Sequence, residues 1–190
     1  MVKVLAVEDG SFRSNILLRK RKGKAFLICV LVDNFKIKKV FLSHVTVDGL
    51  DATNRLAEII KKSGKTFDIV MLPSVAYAGF NLIDPVKIHE KFNVPVLIVN
   101  PKKPDNKAVE FALRKHFKDW EKRLKIIRKV GEPSPLKINE EKTVYLYYFG
   151  LSFEEAKNLV KQLIVFGNKP EPLRIADLIA RGLGMVSLVK

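Results

Sequence analysis

The chain has one cysteine, Cys29, among 190 residues. That excludes an intrachain disulfide and any zinc site built on several thiolates. Cys29 lies in the run Ala25-Phe26-Leu27-Ile28-Cys29-Val30-Leu31-Val32. Apolar surroundings keep a thiol protonated, so it is read as packing and not as a nucleophile. The same run is the longest apolar stretch, and it is far too short to span a bilayer. Glu8-Asp9 interrupts the first apolar segment too early for a signal peptide. The expectation is a cytoplasmic chain with no membrane association. The three histidines, His44, His89 and His116, lie far apart and make no metal-binding spacing. A Gly-rich phosphate loop is missing, and so is a nucleophile elbow with Ser, Asp and His in order. Acids are also scarce: 20 Asp and Glu face 35 Lys and Arg, giving +15. A deficit of this size favours a polyanionic partner, nucleic acid first. Lys- and Glu-rich surfaces also accompany heat stability, which accounts for the number of charges and not for their imbalance.

What is present suffices for one compact domain over 1–190, since 47% of residues are hydrophobic. β-branched and apolar runs predict strands at Val2–Val7, Ala25–Val32 and Lys38–Val47, the second buried on both faces. Asp33-Asn34 marks a turn, which favours antiparallel pairing of the second and third strands. Leu56, Ile59 and Ile60 set helical spacing from Leu50 to Lys62, ended by Ser63-Gly64. Asp68–Leu72 reads as a short buried strand. Asp84-Pro85 opens a helix to Phe92, with Pro at its first position. Pro95–Val99 is a strand, and helices follow from Pro104 to Phe117 and from Asp119 to Val130. Glu132-Pro133-Ser134-Pro135 reads as a loop and Thr143–Phe149 as a tyrosine-rich strand. Ser152 and Glu155 form a capping box for a helix to Ile164. Gly167-Asn168-Lys169-Pro170-Glu171-Pro172 reads as a breaker, and Leu173–Leu183 as the last helix.

Three strands followed by alternating helices and strands imply an α/β domain with a mixed sheet, because helical crossovers impose parallel pairing. A meander leading into such crossovers is the layout of the ribonuclease-H-like three-layer fold. A generic three-layer α/β domain is the alternative.

Acids stand at two strand ends, in Val7-Glu8-Asp9-Gly10 and in Thr46-Val47-Asp48-Gly49-Leu50-Asp51. Carboxylates converging from neighbouring strand ends can hold Mg²⁺ or Mn²⁺. Asp9 is the expected central ligand. Alternation sends Glu8 to the other face and makes it the lesser of the pair. Asp48 and Asp51, three apart at a helix start, fit helix capping as well as they fit assistance to a metal at Asp9. Lys102 and Lys103 follow a strand and can contact phosphate, or can be a solvated pair. Arg19-Lys20-Arg21-Lys22 reads as a basic hairpin tip that can grip phosphates or stay hydrated. The helix from Asp119 to Val130 is expected to bury Trp120, Leu124 and Ile127. Its remaining surface carries Lys122, Arg123, Lys125, Arg128 and Lys129.

Five segments in order resemble the archaeal endonuclease dU family, which is related to endonuclease V. They are 8–12, 46–53, Ala78-Gly79-Phe80-Asn81, Lys102-Lys103-Pro104-Asp105 and 167–174. The resemblance implies a ribonuclease-H-like fold and a Mg²⁺- or Mn²⁺-dependent endonuclease acting on deoxyuridine-containing DNA. Asp9, Asp48 and Asp51 would then be catalytic. Met71-Leu72-Pro73-Ser74 departs from the pattern, since relatives carry Asp-Gly close to this point and Pro73 offers no carboxylate. Asp177 falls where relatives often have histidine. It can replace the lost ligand, giving a metal set of Asp9, Asp51 and Asp177. The competing expectation is a non-catalytic nucleic-acid-binding or protein-interaction module on the same scaffold. Oligomeric state is not legible.

Overall fold

A computed structural model describes residues 2–10 and 23–188, the side chains of 185–188 excepted. The expected basic tip Arg19, Lys20, Arg21 and Lys22 lies outside the described residues. The strands are β1 Lys3–Asp9, β2 Lys24–Asp33, β3 Lys36–Thr46, β4 Ile69–Leu72, β5 Ala76–Tyr77, β6 Asn81–Leu82, β7 Val96–Asn100, β8 Ser134–Lys137 and β9 Thr143–Phe149. The helices are α1 Ala52–Lys62, α2 Pro85–Phe92, α3 Asn106–His116, α4 Trp120–Val130, α5 Phe153–Leu163 and α6 Glu171–Leu188.

Seven strands form one sheet in the order β3-β2-β1-β4-β7-β9-β8. β1, β4 and β7 are parallel, and the other neighbours pair antiparallel. The centre is apolar on both sides, as β1 shows. Leu5 and Val7 join the core under α1 and α2, whereas Val4 and Ala6 join the core under α5 and α6. Helices on both faces of a mixed sheet make three layers, and the fold is ribonuclease-H-like. Among the described residues no helix is long and apolar enough to cross a membrane.

Local chemistry explains the boundaries. Asp84 accepts from Lys87 N at 2.9 Å with Pro85 next to it, which starts α2. Asn93 ends that helix with φ 47°, a conformation asparagine tolerates. The Ser152–Glu155 capping box opens α5 with both reciprocal bonds made. α6 starts at Glu171, earlier than the run 167–172 suggested, because Pro172 sits in the first turn where no intrahelical N–H is needed. One expectation of loop is corrected. Ser134–Lys137 is a strand, and it carries Pro135 because it is the outer edge strand. The small hairpin β5–β6, two residues in each strand, stands between β4 and α2, where the sequence pattern assigns no element.

Candidate functional site

β1, β4 and β7 all end at one edge of the sheet, and β3 ends there too, because β2 runs back from that edge and β3 returns to it. Asp9, Thr46, Pro73 and Asn100 therefore share an edge. β1 and β3 are not neighbours, since β2 lies between them. Their acids come together through the turn Ala78-Gly79-Phe80 instead.

Asp9 Oδ2 accepts from Ala78 N at 2.5 Å. Burial pushes the Asp9 carboxyl above its ordinary value against the pull of that bond, and nearby Asp177 adds to the rise. Asp48 Oδ1 accepts from Phe80 N at 2.9 Å, and Asp48 N donates to Ala78 O at 2.9 Å. Asp48 itself has φ 56°. Gly79, at φ 86°, leaves room for the Asp48 carboxylate where any Cβ would collide with it.

Asp51 occupies the N-cap position of α1 but makes no side-chain cap bond. Its carboxylate turns back and accepts from Thr46 N at 3.1 Å, Thr46 Oγ1 at 3.2 Å and Asn81 Nδ2 at 2.6 Å. Burial works to raise it, but the bonds from Asn81 and Thr46 hold it below the ordinary range. The capping expectation for Asp48 and Asp51 is thus corrected. Both carboxylates tie the 46–51 bend, Asp48 to Phe80 and Asp51 to Thr46 and Asn81, and neither caps α1.

On the opposite face of β1, Glu8 is only 6% exposed. Lys169 Nζ reaches Glu8 Oε1 at 2.7 Å and Asp177 Oδ2 at 3.3 Å. Arg181 Nε pairs with Asp177 Oδ1 at 2.9 Å. Burial pushes Glu8 up to about 7, with Lys169 pulling it down and Asp177 and Asp9 adding to the rise. Glu8 does face away from Asp9, as alternation requires, but it is the more deeply held acid. The signal that would have found it is Lys169, 161 residues away.

Arg123 is a second correction. It is 2% exposed, not part of a solvated basic face. Its guanidinium donates to Gly49 O and Asp48 O at 2.9 Å, to Phe80 O, and to both Asp119 carboxylate oxygens at 3.0 Å. It lies 4.3 Å from the Phe117 ring centroid. A planar fork with five donors suits three carbonyls and a carboxylate, which lysine would not. α4 is thereby fastened to the two loops that carry Asp48 and Gly79. Trp120 is half-buried and stacks under Arg114 at 3.9 Å.

Lys102 and Lys103 follow β7 on the same edge and are exposed. Beside them a cavity of about 220 Å³ is lined by Ser74, Ile98, Asn100, Val109, Ile127 and Tyr147 among others. Asp9, Asp48, Asp51 and Asp177 are not gathered as one set: the first three lie about the 78–81 segment and Asp177 lies with Glu8 and Lys169. Among the described residues no three His, Cys, Asp or Glu side chains are placed to hold one metal ion.

The family model for endonuclease dU matches residues 1–184. The UPF0215 protein of Thermococcus gammatolerans is 36% identical over 181 residues, covering 94% of this chain and 90% of that protein. A solved structure of a protein of unknown function from Archaeoglobus fulgidus is 28% identical, with TM-score 0.83 over 96% of this chain and 98% of that one. Endonuclease V of Ciona intestinalis, solved with a 24mer DNA containing an inosine followed by a ribo-adenosine, has TM-score 0.64 at 13% identity. It covers 100% of this chain and 87% of that one. Human endonuclease V has TM-score 0.61 at 14% identity, covering 99% and 86%.

Proposed function

The chain belongs to the endonuclease dU family, and from that premise we propose that it binds nucleic acid, DNA first, along the strand-end edge, with phosphodiester cleavage far below that of a complete three-carboxylate metal site. The observation that carries the reading is the pair Lys102 and Lys103, exposed on the same edge as Asp9 and Pro73. Ammonium groups there neutralise phosphates and release counterions, which suits a chain of charge +15. The adjoining cavity of about 220 Å³ exceeds the ~150 Å³ that takes up benzene in an engineered core, so one unstacked base has room beside the lysines.

A divalent ion does not fit the side chains present. Asp51 is engaged by Thr46 and Asn81 and has Arg55 at 4.0 Å, Asp177 is shared by Lys169 and Arg181, Glu8 is paired with Lys169, and among the described residues no three such groups meet. Pro73 supplies no oxygen ligand from its side chain. No hydrolytic step is therefore derived through a metal. The second reading is a Mg²⁺- or Mn²⁺-dependent endonuclease acting at deoxyuridine, and two observations favour it. They are the family itself and the meeting of Asp9 and Asp48 on one turn.

One set of oligonucleotides separates the readings: uracil-containing, inosine-containing and undamaged, single- and double-stranded, with Mg²⁺ and with Mn²⁺. Binding that weakens steeply with salt, and no metal-dependent cleavage, is the expected result. A flat salt dependence, or no binding at low salt, would sink the nucleic-acid reading. Robust cleavage that vanishes in Asp9→Ala would establish the endonuclease. Cleavage that persists in Asp9→Ala points to another site or a contaminant.

A further inference from the structure

β1 and β4 run parallel with Ala6 opposite Met71, both in the core under α6. Two residues further along each strand, side chains return to the same face. Glu8 therefore stands on the α6 side of the edge with Asp177, and β4 ends at Leu72, so its alternation carried one residue past the strand would put position 73 on that side too. A carboxylate at 73 would join Glu8 and Asp177, not Asp9. At this place the chain has two acids, and both are already paired with cations: Lys169 spans the two, and Arg181 holds the second oxygen of Asp177.

We propose that the Lys169 ammonium takes the place of the divalent ion that the family implies, as a tethered cation that closes the Glu8–Asp177 pair to Mg²⁺ and Mn²⁺. An ammonium is a compact point charge with three donors; here it donates to Glu8 and lies 3.3 Å from the Asp177 carboxylate. Its tether makes it a competitor at high effective concentration, which free ions must outbid while also shedding water. The inference extends the proposed function by naming why metal chemistry is weak. It rests on that reading only there, because nucleic acid plays no part in the ion pairs.

The test counts bound Mn²⁺ by the electron paramagnetic resonance of the free ion, without nucleic acid, at pH 8 where Glu8 is ionised. Wild type and Lys169→Arg should bind no ion at this pair in the submillimolar range. Lys169→Met should gain one ion with affinity at least about tenfold higher, since one positive charge leaves and two carboxylates remain. Lys169→Met/Pro73→Asp should bind it more tightly still, and Lys169→Met/Asp177→Asn should lose it. Pro73→Asp alone should gain nothing while Lys169 is present, which keeps the proposal open to refutation if Lys169→Met does not fold. An ion bound by wild type and lost in Asp177→Asn would overturn it. So would a gain in Pro73→Asp alone, or no gain in folded Lys169→Met. Failure to bind DNA would leave these ion counts unchanged, so the two readings fail separately.

Discussion

Acids on the α6 side of the sheet edge are met at close range by charges, whereas acids on the α1 side take their hydrogen bonds from neutral donors, with one cation, Arg55 Nε, 4.0 Å from Asp51. Glu8 and Asp177 share Lys169, which reaches them from a loop near the end of the chain. Asp48 and Asp51 take N–H and O–H groups from residues of their own bend and of the 80–81 segment. The neutral bonds shape a turn and would do so in any ionic surroundings. The charged contacts set a local balance, and only that side can answer to ions. Asp9 stands between: it accepts one backbone N–H and feels Asp177 across the strand.

The largest expected effect breaks the neutral side from outside it. Arg123→Ala leaves the carbonyls of Asp48, Gly49 and Phe80 without their donor. It should cost roughly 3 kcal/mol, read by denaturant unfolding. A loss under about 1 kcal/mol would mean the turn stands without α4. Asp51→Ala comes next, at about 2 kcal/mol, because Thr46 N–H and the Asn81 amide lose an acceptor in a partly buried site. The same substitution should leave Mn²⁺ counts alone.

pH sharpens the contrast, because Glu8 and Asp51 carry opposite signs. Glu8 is raised from 4.5 to about 7 when folded. Between those values the folded state keeps a proton that the unfolded chain has released. Its contribution is full below 4.5 and is lost as pH rises through 7, at no more than about 1.4 kcal/mol per pH unit. Asp51 is held low, so its contribution is present above its ordinary value of 3.8 and is lost on further acidification. Stability measured from pH 3 to 8 should therefore fall at both ends, and Glu8→Gln should flatten the upper slope alone. An unchanged upper slope in Glu8→Gln would assign it to another group. The smallest effect is at the lysines: Lys102→Ala and Lys103→Ala should each lower the salt slope of DNA binding by about 1, with stability untouched.

Most of the scaffold could be read from the chain because its signals are local. Apolar runs gave β1, β2, β4 and β7, Pro85 and Asp84 gave the start of α2, and Ser152 with Glu155 gave α5. β8 was hidden because proline reads as a breaker unless one knows that the strand lies at an edge. The site was less legible, since its contacts are long-range. Glu8 and Lys169 carry no mutual spacing, and Arg123 looks like any other basic residue on a basic helix. Its three carbonyl partners come from loops 43 to 75 residues away. Asp48 and Asp51 showed the spacing of helix caps, yet their bonds go to the facing Asn81 and Phe80 and back to Thr46, which only the folded turn reveals.

Cys29 lies in β2, hydrogen-bonded to β1 on one side and β3 on the other, with no exposed surface. Burial also pushes its thiol far up, so it is shielded both by position and by protonation. A thiol-reactive dye can reach it only when the middle of the sheet parts, an event close to global unfolding. The unaltered sequence therefore carries its own single-site gauge: labelling rate in native buffer ranks how often the sheet opens. With one thiol in the chain, the signal has no second source.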